Sequence, residues 1–250
     1  MKRSYSLILT LLFVFAAVSC FAQKGSDNAD EKTYAKSYFG IYGGIGKPIG
    51  DFAKTDYSNN KAGYAKRGAV VGLDGAWYFY KNLGLGGTLF FQDQGSINSN
   101  DATAISNGFT TDLKADAMTT SVTNRYHTLN FLLGPQYSFL VHKFTIDLRA
   151  SGGIVKSTST PEFTFNPTGS EAQTSIFYQR SAKAYVAGYS GSLGLRYALG
   201  DSWTLSLRGT YFGSEGPTVK YDDRIVTVGR YVDRQPFSTV QATFGINLLF

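Results

Sequence analysis

The chain has 250 residues, a formal net charge of +6 and 17% charged residues, against the roughly 25% usual for soluble globular domains. Its basic residues are scattered along the chain rather than clustered on one face, which excludes nucleic acid as a partner. Aromatic residues reach 15% and glycine numbers 28, a mixture that favours short strands and turns over helices.

Residues 1–22 have the parts of a secretory signal peptide. A positive start precedes an apolar stretch at 7–18 that is too short to span a bilayer, and small residues at Cys20 and Ala22 suit cleavage before Gln23. Cys20 is the only cysteine, so a lipoprotein signal with a lipidated Cys20 stays open as the alternative.

The segment that follows, 23–36, is polar and charged and is predicted to be a short periplasmic lead-in. No later run of about 18 apolar residues occurs, which excludes a helical membrane protein. A β-barrel is not excluded, because half of each barrel strand faces inward and dilutes the hydropathy.

Eight later segments alternate apolar and polar side chains with the two-residue period of a β-strand. In the last segment Val240, Phe244 and Phe250 share one face, while Gln241 and Thr243 share the other. A tilted strand of roughly 9–11 residues crosses a bilayer. The predicted strands are 37–49, 68–80, 83–94, 126–139, 144–155, 184–197, 203–212 and 237–250.

Short and long connections alternate between these segments, as in outer-membrane barrels. We therefore predict that 37–250 is an all-β, eight-stranded antiparallel up-and-down transmembrane β-barrel with short periplasmic turns and four long extracellular loops. A soluble β-sandwich also has alternating strands, but it does not sort its loops by length in this way. The long connections are 50–67, 95–125, 156–183 and 213–236.

Aromatic residues near both ends of the strands predict the two interfacial girdles of such a barrel. The girdle residues are Trp77, Phe79, Tyr137, Phe139, Tyr197, Trp203 and Tyr211.

Two local features are predicted within this frame. Pro135 lacks a donor for the strand ladder, so a bulge is expected there in the fourth strand. In the last long loop, the segments 219–221 and 225–228 flank Asp222-Asp223 and predict a hairpin that extends the last two strands.

Charged residues on the inward face of the strands are the candidate site. A lipid-facing Arg or Lys costs about 2–4 kcal/mol at the midplane, so these side chains must face the lumen. An eight-stranded barrel is just wide enough for side chains to fill, so Arg–carboxylate pairs are expected to plug it. A narrow anion-biased conduit is the alternative, because three Arg face two Asp. The five residues are Asp74, Asp147, Arg149, Arg196 and Arg208.

No residues predict catalysis, a cofactor or a metal site. A hydrolase needs a nucleophile with a positioned base; His127 lies near the loop residues Ser121 and Asp116, and a histidine at the barrel rim is the favoured interpretation. Oxygen-bearing loop residues lack the spacing and terminal Glu of an EF-hand, so a solvated loop is favoured over a calcium site. These residues are Asp93, Asn98, Asn100 and Asp101.

Two stretches, GGIGKPIGDF at 43–52 and LLGPQYSF at 132–139, together with the signal and the terminal Phe250, resemble the small porin-like outer-membrane β-barrel proteins of Bacteroidetes. The resemblance implies an eight-stranded barrel with variable outer loops. It also implies that the C-terminal strand, which ends in Phe250, is recognised by the barrel-assembly machinery. The family shares no catalytic residues.

The predicted function is a structural or surface-interaction role in the bacterial outer membrane, with the barrel as anchor and the outer loops as contact surface. Expected partners are outer-membrane lipids, the barrel-assembly machinery and an unidentified extracellular or envelope protein. Two alternatives remain open: passive transport of small solutes or ions through a narrow pore, and lipid modification by an outer-membrane enzyme.

Overall fold

The computed structural model describes residues 34–169, 176–229 and 234–250. The predicted signal peptide at 1–22, with Cys20, lies outside these residues, as does most of the predicted lead-in.

The described end of the lead-in is fastened to two short turns of the barrel. The Ala35 amide donates to Asn82 Oδ1 over 3.1 Å. The Lys36 ammonium donates to the Asp201 carbonyl over 3.4 Å. The chain therefore enters the barrel at the end where the short turns lie.

Eight of the twelve described strands close into an antiparallel barrel, as predicted. The two terminal strands of the barrel pair from Tyr38 with Leu249 to Pro48 with Thr239, and this pairing closes the ring. The barrel strands are β1 (Tyr38–Pro48), β2 (Gly68–Tyr80), β3 (Leu83–Asp93), β5 (His127–Val141), β6 (Phe144–Ser159), β9 (Ala184–Ala198), β10 (Trp203–Ser214) and β12 (Phe237–Leu249).

The barrel is apolar outside and polar inside. In β5, Phe131 and Leu133 are 50% and 43% exposed, whereas Asn130 and Gln136 are 0% and 1% exposed. Soluble domains show the opposite distribution, since their polar residues are mostly exposed. The alternation is the one that barrels show when their outer face meets lipid.

Aromatic side chains fill the interior near the long connections. Phe90, an apolar residue on the inward parity of β3, packs edge-to-face on Phe212 at 5.5 Å. Phe52 lies on a short 3₁₀ turn of the first long connection, is 2% exposed and contacts the Tyr126 ring at 4.9 Å. We call this group the aromatic cork: Phe52, Phe90, Tyr126, Phe212 and Phe237.

The other three long connections fold into a layer with its own core, which we call the cap. Its sheet contains β4 (Ala117–Thr123), β7 (Glu162–Thr168), β8 (Phe177–Arg180) and β11 (Lys220–Tyr221), in the order β11-β8-β7-β4. Its helices are α1 (Ser99–Asp112) and α2 (Asp223–Thr227). None of the described helices is long and apolar enough to cross a membrane. The buried core of the cap contains Ile105, Phe109, Phe163, Phe165, Phe177 and Ile225, and Tyr64 of the first long connection packs into it.

The bulge predicted at Pro135 is wrong. The β5–β6 register is the same on both sides of it, from Leu133 with Gly152 to Gln136 with Arg149. Pro135 also stays in register with Leu85 of β3. The missing donor costs one ladder hydrogen bond, but the residue pairs on both sides of Pro135 keep the strands in register.

The hairpin predicted in the last long connection is also wrong. Lys220–Tyr221 pairs with β8, and most of 225–228 is helical. The Asp222 carboxylate accepts from the Arg224 amide over 3.2 Å, so Asp222 caps α2 instead of turning a hairpin. Contacts with the cap sheet therefore override the strand propensity of this segment.

Candidate functional site: the lumen network and the cap cleft

The five charged residues predicted for the lumen meet at two carboxylates. Asp74 Oδ1 accepts from Arg149 Nη1 over 2.7 Å and pairs with Arg208 Nη1 at 2.5 Å. Asp147 binds Arg196 through Nε at 2.7 Å and Nη2 at 3.0 Å. Strands β2, β6, β9 and β10 thus contribute charges to one cluster, which we call the lumen network.

Tyr38 joins the two carboxylate centres, and sequence reasoning missed it. Its hydroxyl donates to Asp74 Oδ2 over 2.9 Å and accepts from Arg149 Nη2 and Arg208 Nη2, each over 2.9 Å. The Arg196 guanidinium lies 4.1 Å over the Tyr38 ring. The available signal was the inward parity of the first residue of β1.

Neutral side chains complete the network. Gln136 accepts from Arg149 Nε over 2.8 Å and donates to the Tyr78 hydroxyl over 2.5 Å. Ser138 Oγ donates to Asp147 Oδ1 over 2.6 Å. Since a buried charge without a partner is costly, this mutual pairing makes the polar filling stable. Such a filling occupies the lumen with side chains rather than leaving a bore.

The aromatic residues predicted as girdles lie on the outside of the barrel. The rings of Trp77 and Phe79 are 6.0 Å apart, and those of Tyr137 and Phe139 are 4.9 Å apart. Phe250, at the chain end, is 70% exposed. The exposed girdle residues are Trp77, Phe79, Tyr137, Phe139, Tyr197, Trp203 and Tyr211.

The loop residues considered for catalysis and calcium do not converge. His127 Nε2 lies 3.5 Å from Asp93 Oδ1, so the carboxylate next to this histidine is Asp93 and not Asp116. Asn98 Oδ1 accepts from the Asp101 amide over 2.8 Å and caps α1. The Asp101 carboxylate pairs with Lys66. Within the described ranges, no three His, Cys, Asp or Glu residues are grouped to hold a metal.

A second candidate site lies between the cap and the first long connection, and we call it the cap cleft. It is small, with a cavity volume of about 70 Å³. Seven aromatic side chains and four side-chain amides are among the residues that line it. No local sequence pattern indicates the cleft, because its lining residues come from every long connection.

Tyr57 docks the first long connection onto α1. Its hydroxyl donates to Asp112 Oδ2 over 2.7 Å, and its ring meets Phe109 edge-on at 5.4 Å. A Cβ placed on Gly108 would lie 2.4 Å from ring atoms of Tyr57. Glycine in the middle of α1 therefore makes room for this aromatic wall of the cleft.

Tyr126, a member of the aromatic cork, also lines the cleft. Its hydroxyl donates to the Gly63 carbonyl over 2.9 Å. Burial raises the pKa of the Tyr126 phenol above its usual value, and the nearby Tyr221 raises it further. The hydroxyl accordingly stays protonated and keeps its role as donor.

Gln235 is the one buried side chain of the cleft whose amide nitrogen has no hydrogen-bond partner among the described residues. The residue is only 6% exposed. A buried donor left without a partner costs about 1–3 kcal/mol. Among the described residues, the Gln235 amide nitrogen therefore has unused hydrogen-bonding capacity.

The closed barrel, its apolar exterior and its polar filling define a β-barrel of the membrane-spanning class. No family model matches the chain, and no curated protein matches it. Among solved structures, Neisserial surface protein A is 9% identical, with 88% of this chain and 100% of that chain covered and a TM-score of 0.46. The attachment invasion locus protein Ail of Yersinia pestis is 12% identical, with coverages of 86% and 97% and a TM-score of 0.38. The N-terminal β-barrel domain of Pseudomonas aeruginosa OprF is 10% identical, with coverages of 87% and 100% and a TM-score of 0.38.

Proposed function

We propose that this protein is a bacterial outer-membrane β-barrel that acts as an anchor and presents its cap as a contact surface for another molecule of the envelope or the surroundings. One observation carries the proposal: a barrel filled by its own side chains supports a cap that has a separate aromatic core. The resemblance of 43–52 and 132–139 to small porin-like barrels of Bacteroidetes agrees with it.

The outer surface of the barrel supports the membrane location. Leu207 in β10 and Phe244 in β12 are 59% and 56% exposed, and similar apolar side chains surround the barrel. Monomeric soluble proteins rarely expose apolar patches larger than a few hundred Å². Outer-membrane lipids are therefore the partners of this face, and the strand that ends at Phe250 is the proposed contact for the assembly machinery.

The filled lumen favours an anchor over a conduit. Arg149 and Arg196 are 5% and 3% exposed, and both guanidinium groups bind carboxylates that are equally buried. The aromatic cork lies in the same lumen toward the cap, so a solute would have to displace both groups. Passive transport requires space that these side chains occupy.

The ordered cap favours a contact role for the long connections. Phe165 stacks on Phe177 at 4.8 Å and meets Phe109 at 4.7 Å, so residues from two connections hold each other in place. A surface fixed before binding loses less conformational entropy when a partner arrives. The cap is therefore better suited to recognition than three separate loops would be.

Photocrosslinking in living cells tests the proposal. A photoreactive amino acid replaces Tyr178 or Val226, which are 41% and 43% exposed on the cap. The matched control is Leu199, which is 54% exposed in a short turn at the opposite end of the barrel. We expect Tyr178 and Val226 to give a shared adduct that the control lacks. Adducts from Leu199 alone, or none from either cap position, would contradict the contact role.

A further inference from the structure

We propose that the outer face of the molecule binds the phosphate headgroup of an anionic membrane lipid where the barrel meets the cap. The site is a groove that we call the rim groove, and its lining includes His127, Thr158, Glu162, Arg180 and Lys183. The inference rests on the membrane location in the proposed function, because it names the headgroup that the barrel contacts beside its cap.

The rim groove lies where paired barrel strands continue into the cap sheet. β4 and β7 pair beyond the barrel as the continuation of β5 and β6. At the junction His127 pairs with Ser159 but Thr128 pairs with Ser157, so Thr158 is the extra residue of a β-bulge. A bulge bends its strand and increases the local twist, and bulges are common at the rims of barrels. The groove at this bulge has a volume of about 730 Å³, within the roughly 300–1,000 Å³ of small-molecule sites.

The groove borders the lipid-facing surface of the barrel. Lys183 is two residues from Tyr185, and His127 is two residues from Leu129; both neighbours are exposed on the outer face. Side chains two residues apart in an extended chain point the same way and are separated by about 7 Å along it. Tyrosine is typical of the bilayer interface, and Tyr185 is 70% exposed. The groove therefore opens at the level of the lipid headgroups.

Lys156 marks the same level on the neighbouring strand. It pairs directly with Tyr185 across β6 and β9, and its ammonium group lies 5.5 Å from the centre of the Tyr185 ring. A lipid-facing lysine is costly at the midplane of a bilayer, but most of the cost is lost near the interface. An exposed lysine on this face is therefore expected in the headgroup region, where its charged end reaches polar groups.

Positive charge predominates around the groove. Arg180 and Lys183 line it, and Lys156 lies beside it on the outer face. In the described part of the chain, no carboxylate forms an ion pair with any of these three cations. Glu162 is the one acidic residue in the described lining. Glu171 lies outside the described residues and follows the end of β7 opposite to Glu162. The described charges therefore favour an anion.

Phosphate suits the donors of the groove. A guanidinium group such as that of Arg180 binds two phosphate oxygens through parallel hydrogen bonds, and a lysine ammonium binds as a compact charge. Tyr178 also lines the groove and adds a phenolic donor. The three kinds of donor together match the several oxygens of one phosphate.

A lipid makes a second contact that a soluble anion lacks. Ile154 and Ala187 pair with each other on the outer face, two residues from Lys156 and Tyr185, and both are exposed. Acyl chains that lie along this apolar surface would hold the attached phosphate at the groove. Because the apolar and cationic surfaces adjoin, a single anionic lipid contacts both.

Native mass spectrometry of the refolded full chain, released from lauryldimethylamine oxide micelles, tests the proposal by measuring the dissociation constant of each added lipid. The anionic probes are phosphatidylglycerol and lipid A, the zwitterionic probe is phosphatidylcholine, and the soluble probe is inorganic phosphate. We expect both anionic lipids to bind about tenfold more tightly than phosphatidylcholine. We also expect them to resist displacement by inorganic phosphate at the same concentration.

Charge variants place the binding in the groove. Arg180→Gln and Lys183→Gln should each weaken phosphatidylglycerol binding about fivefold, the loss for one basic residue near an anionic lipid surface. Glu162→Gln removes a like charge and should strengthen binding. Lys143→Gln is the matched control, since it removes the same charge from an exposed turn at the opposite end of β6 and should leave the dissociation constant unchanged. Circular dichroism checks that each variant keeps its β structure.

The outcomes separate this proposal from the function on which it rests. Equal binding of phosphatidylcholine and phosphatidylglycerol, or Arg180 and Lys183 variants that bind like Lys143→Gln, would overturn the headgroup site. Displacement of the lipid by an equal concentration of inorganic phosphate would assign the groove to a soluble anion instead. Protein that inserts into vesicles without a preference for anionic lipids would refute only the headgroup site, whereas protein that stays out of vesicles would refute the membrane location itself.

Discussion

Asp74 has four side-chain partners in the lumen network. It binds two guanidinium groups, accepts from Tyr38, and accepts from Thr88 Oγ1 over 2.9 Å. A carboxylate shared by Arg149 and Arg208 balances only one of their two charges. The lumen network therefore depends on this residue more than on either arginine.

Replacement of Asp74 with alanine should lower the free energy of unfolding by about 3–5 kcal/mol, because it leaves buried guanidinium groups without a carboxylate. Urea unfolding from lipid vesicles, followed by tryptophan fluorescence, measures the change. Asp201→Ala is the control, since Asp201 is exposed in a short turn and should change stability by no more than about 0.5 kcal/mol. Equal effects of the two substitutions would mean that the network does not stabilise the barrel.

Gly86 provides the space through which the Arg149 side chain reaches Asp74. A Cβ on Gly86 would lie 2.3 Å from Arg149 Nε, so Gly86→Ala should displace the guanidinium and destabilise the barrel by about 1–3 kcal/mol. The neighbouring Gly87 faces outward, where a Cβ would meet a flexible leucine methyl at 3.2 Å. Gly87→Ala should therefore be nearly neutral in the same urea titration, and a reversed order would contradict the close approach.

At this scale the sequence predicted which charges face inward, because strand parity and the cost of lipid exposure determine that directly. It did not predict Tyr38 as the link between carboxylates, since two of its partners, Arg149 and Arg208, lie 111 and 170 residues away in sequence. The Gln235 amide nitrogen, which has no partner in the part of the chain that the structure describes, was equally hidden, because a missing hydrogen bond leaves no pattern in the sequence.

Among the elements, α1 is the one on which the cap cleft depends most. It packs on β4 through Ser106, whose hydroxyl donates to the Met118 carbonyl over 2.5 Å. The Tyr57 ring also packs against α1 at Gly108. The helix thus holds both the cap sheet and the first long connection.

Gly108→Ala should loosen the cap even though alanine favours a helix by up to about 1 kcal/mol over glycine. The new methyl group would collide with the Tyr57 ring, and the first long connection would then separate from α1. Limited trypsin digestion should show faster cleavage after Lys61 and Lys114. Asn107→Ala changes helix propensity at an exposed neighbouring position and should leave the cleavage rate unchanged; faster cleavage in both variants would assign the effect to the helix alone.

The barrel strands were predictable as elements, whereas the cap was not. Each barrel strand repeats its two-residue alternation over eleven or more residues, so the pattern is strong. The cap strands have two to seven residues and come from three different connections, so no local window contains the sheet. Asn98 followed by Asp101 was a helix-capping signal, yet the polar composition around it favoured a loop.

For the whole molecule, the filled lumen predicts a barrel that does not conduct ions. Planar-bilayer recordings of the refolded protein should show no current steps, because the lumen network and the aromatic cork both occupy the path. Flotation of the same preparation with lipid vesicles confirms that the protein has inserted. Reproducible steps from inserted protein would contradict the anchor role and restore the conduit as the function to pursue.

The pairing of Tyr38, Asp74 and Arg208 also constrains how the molecule is made. These residues come from β1, β2 and β10, so the earliest and the latest parts of the chain must meet before the positive charge of Arg208 is balanced. An arginine left unbalanced in hydrocarbon costs about 2–4 kcal/mol. A partly formed barrel is therefore destabilised in two ways, by its unpaired strand edges and by an arginine without a counter-ion. Closure of the ring is therefore coupled to neutralisation of Arg208.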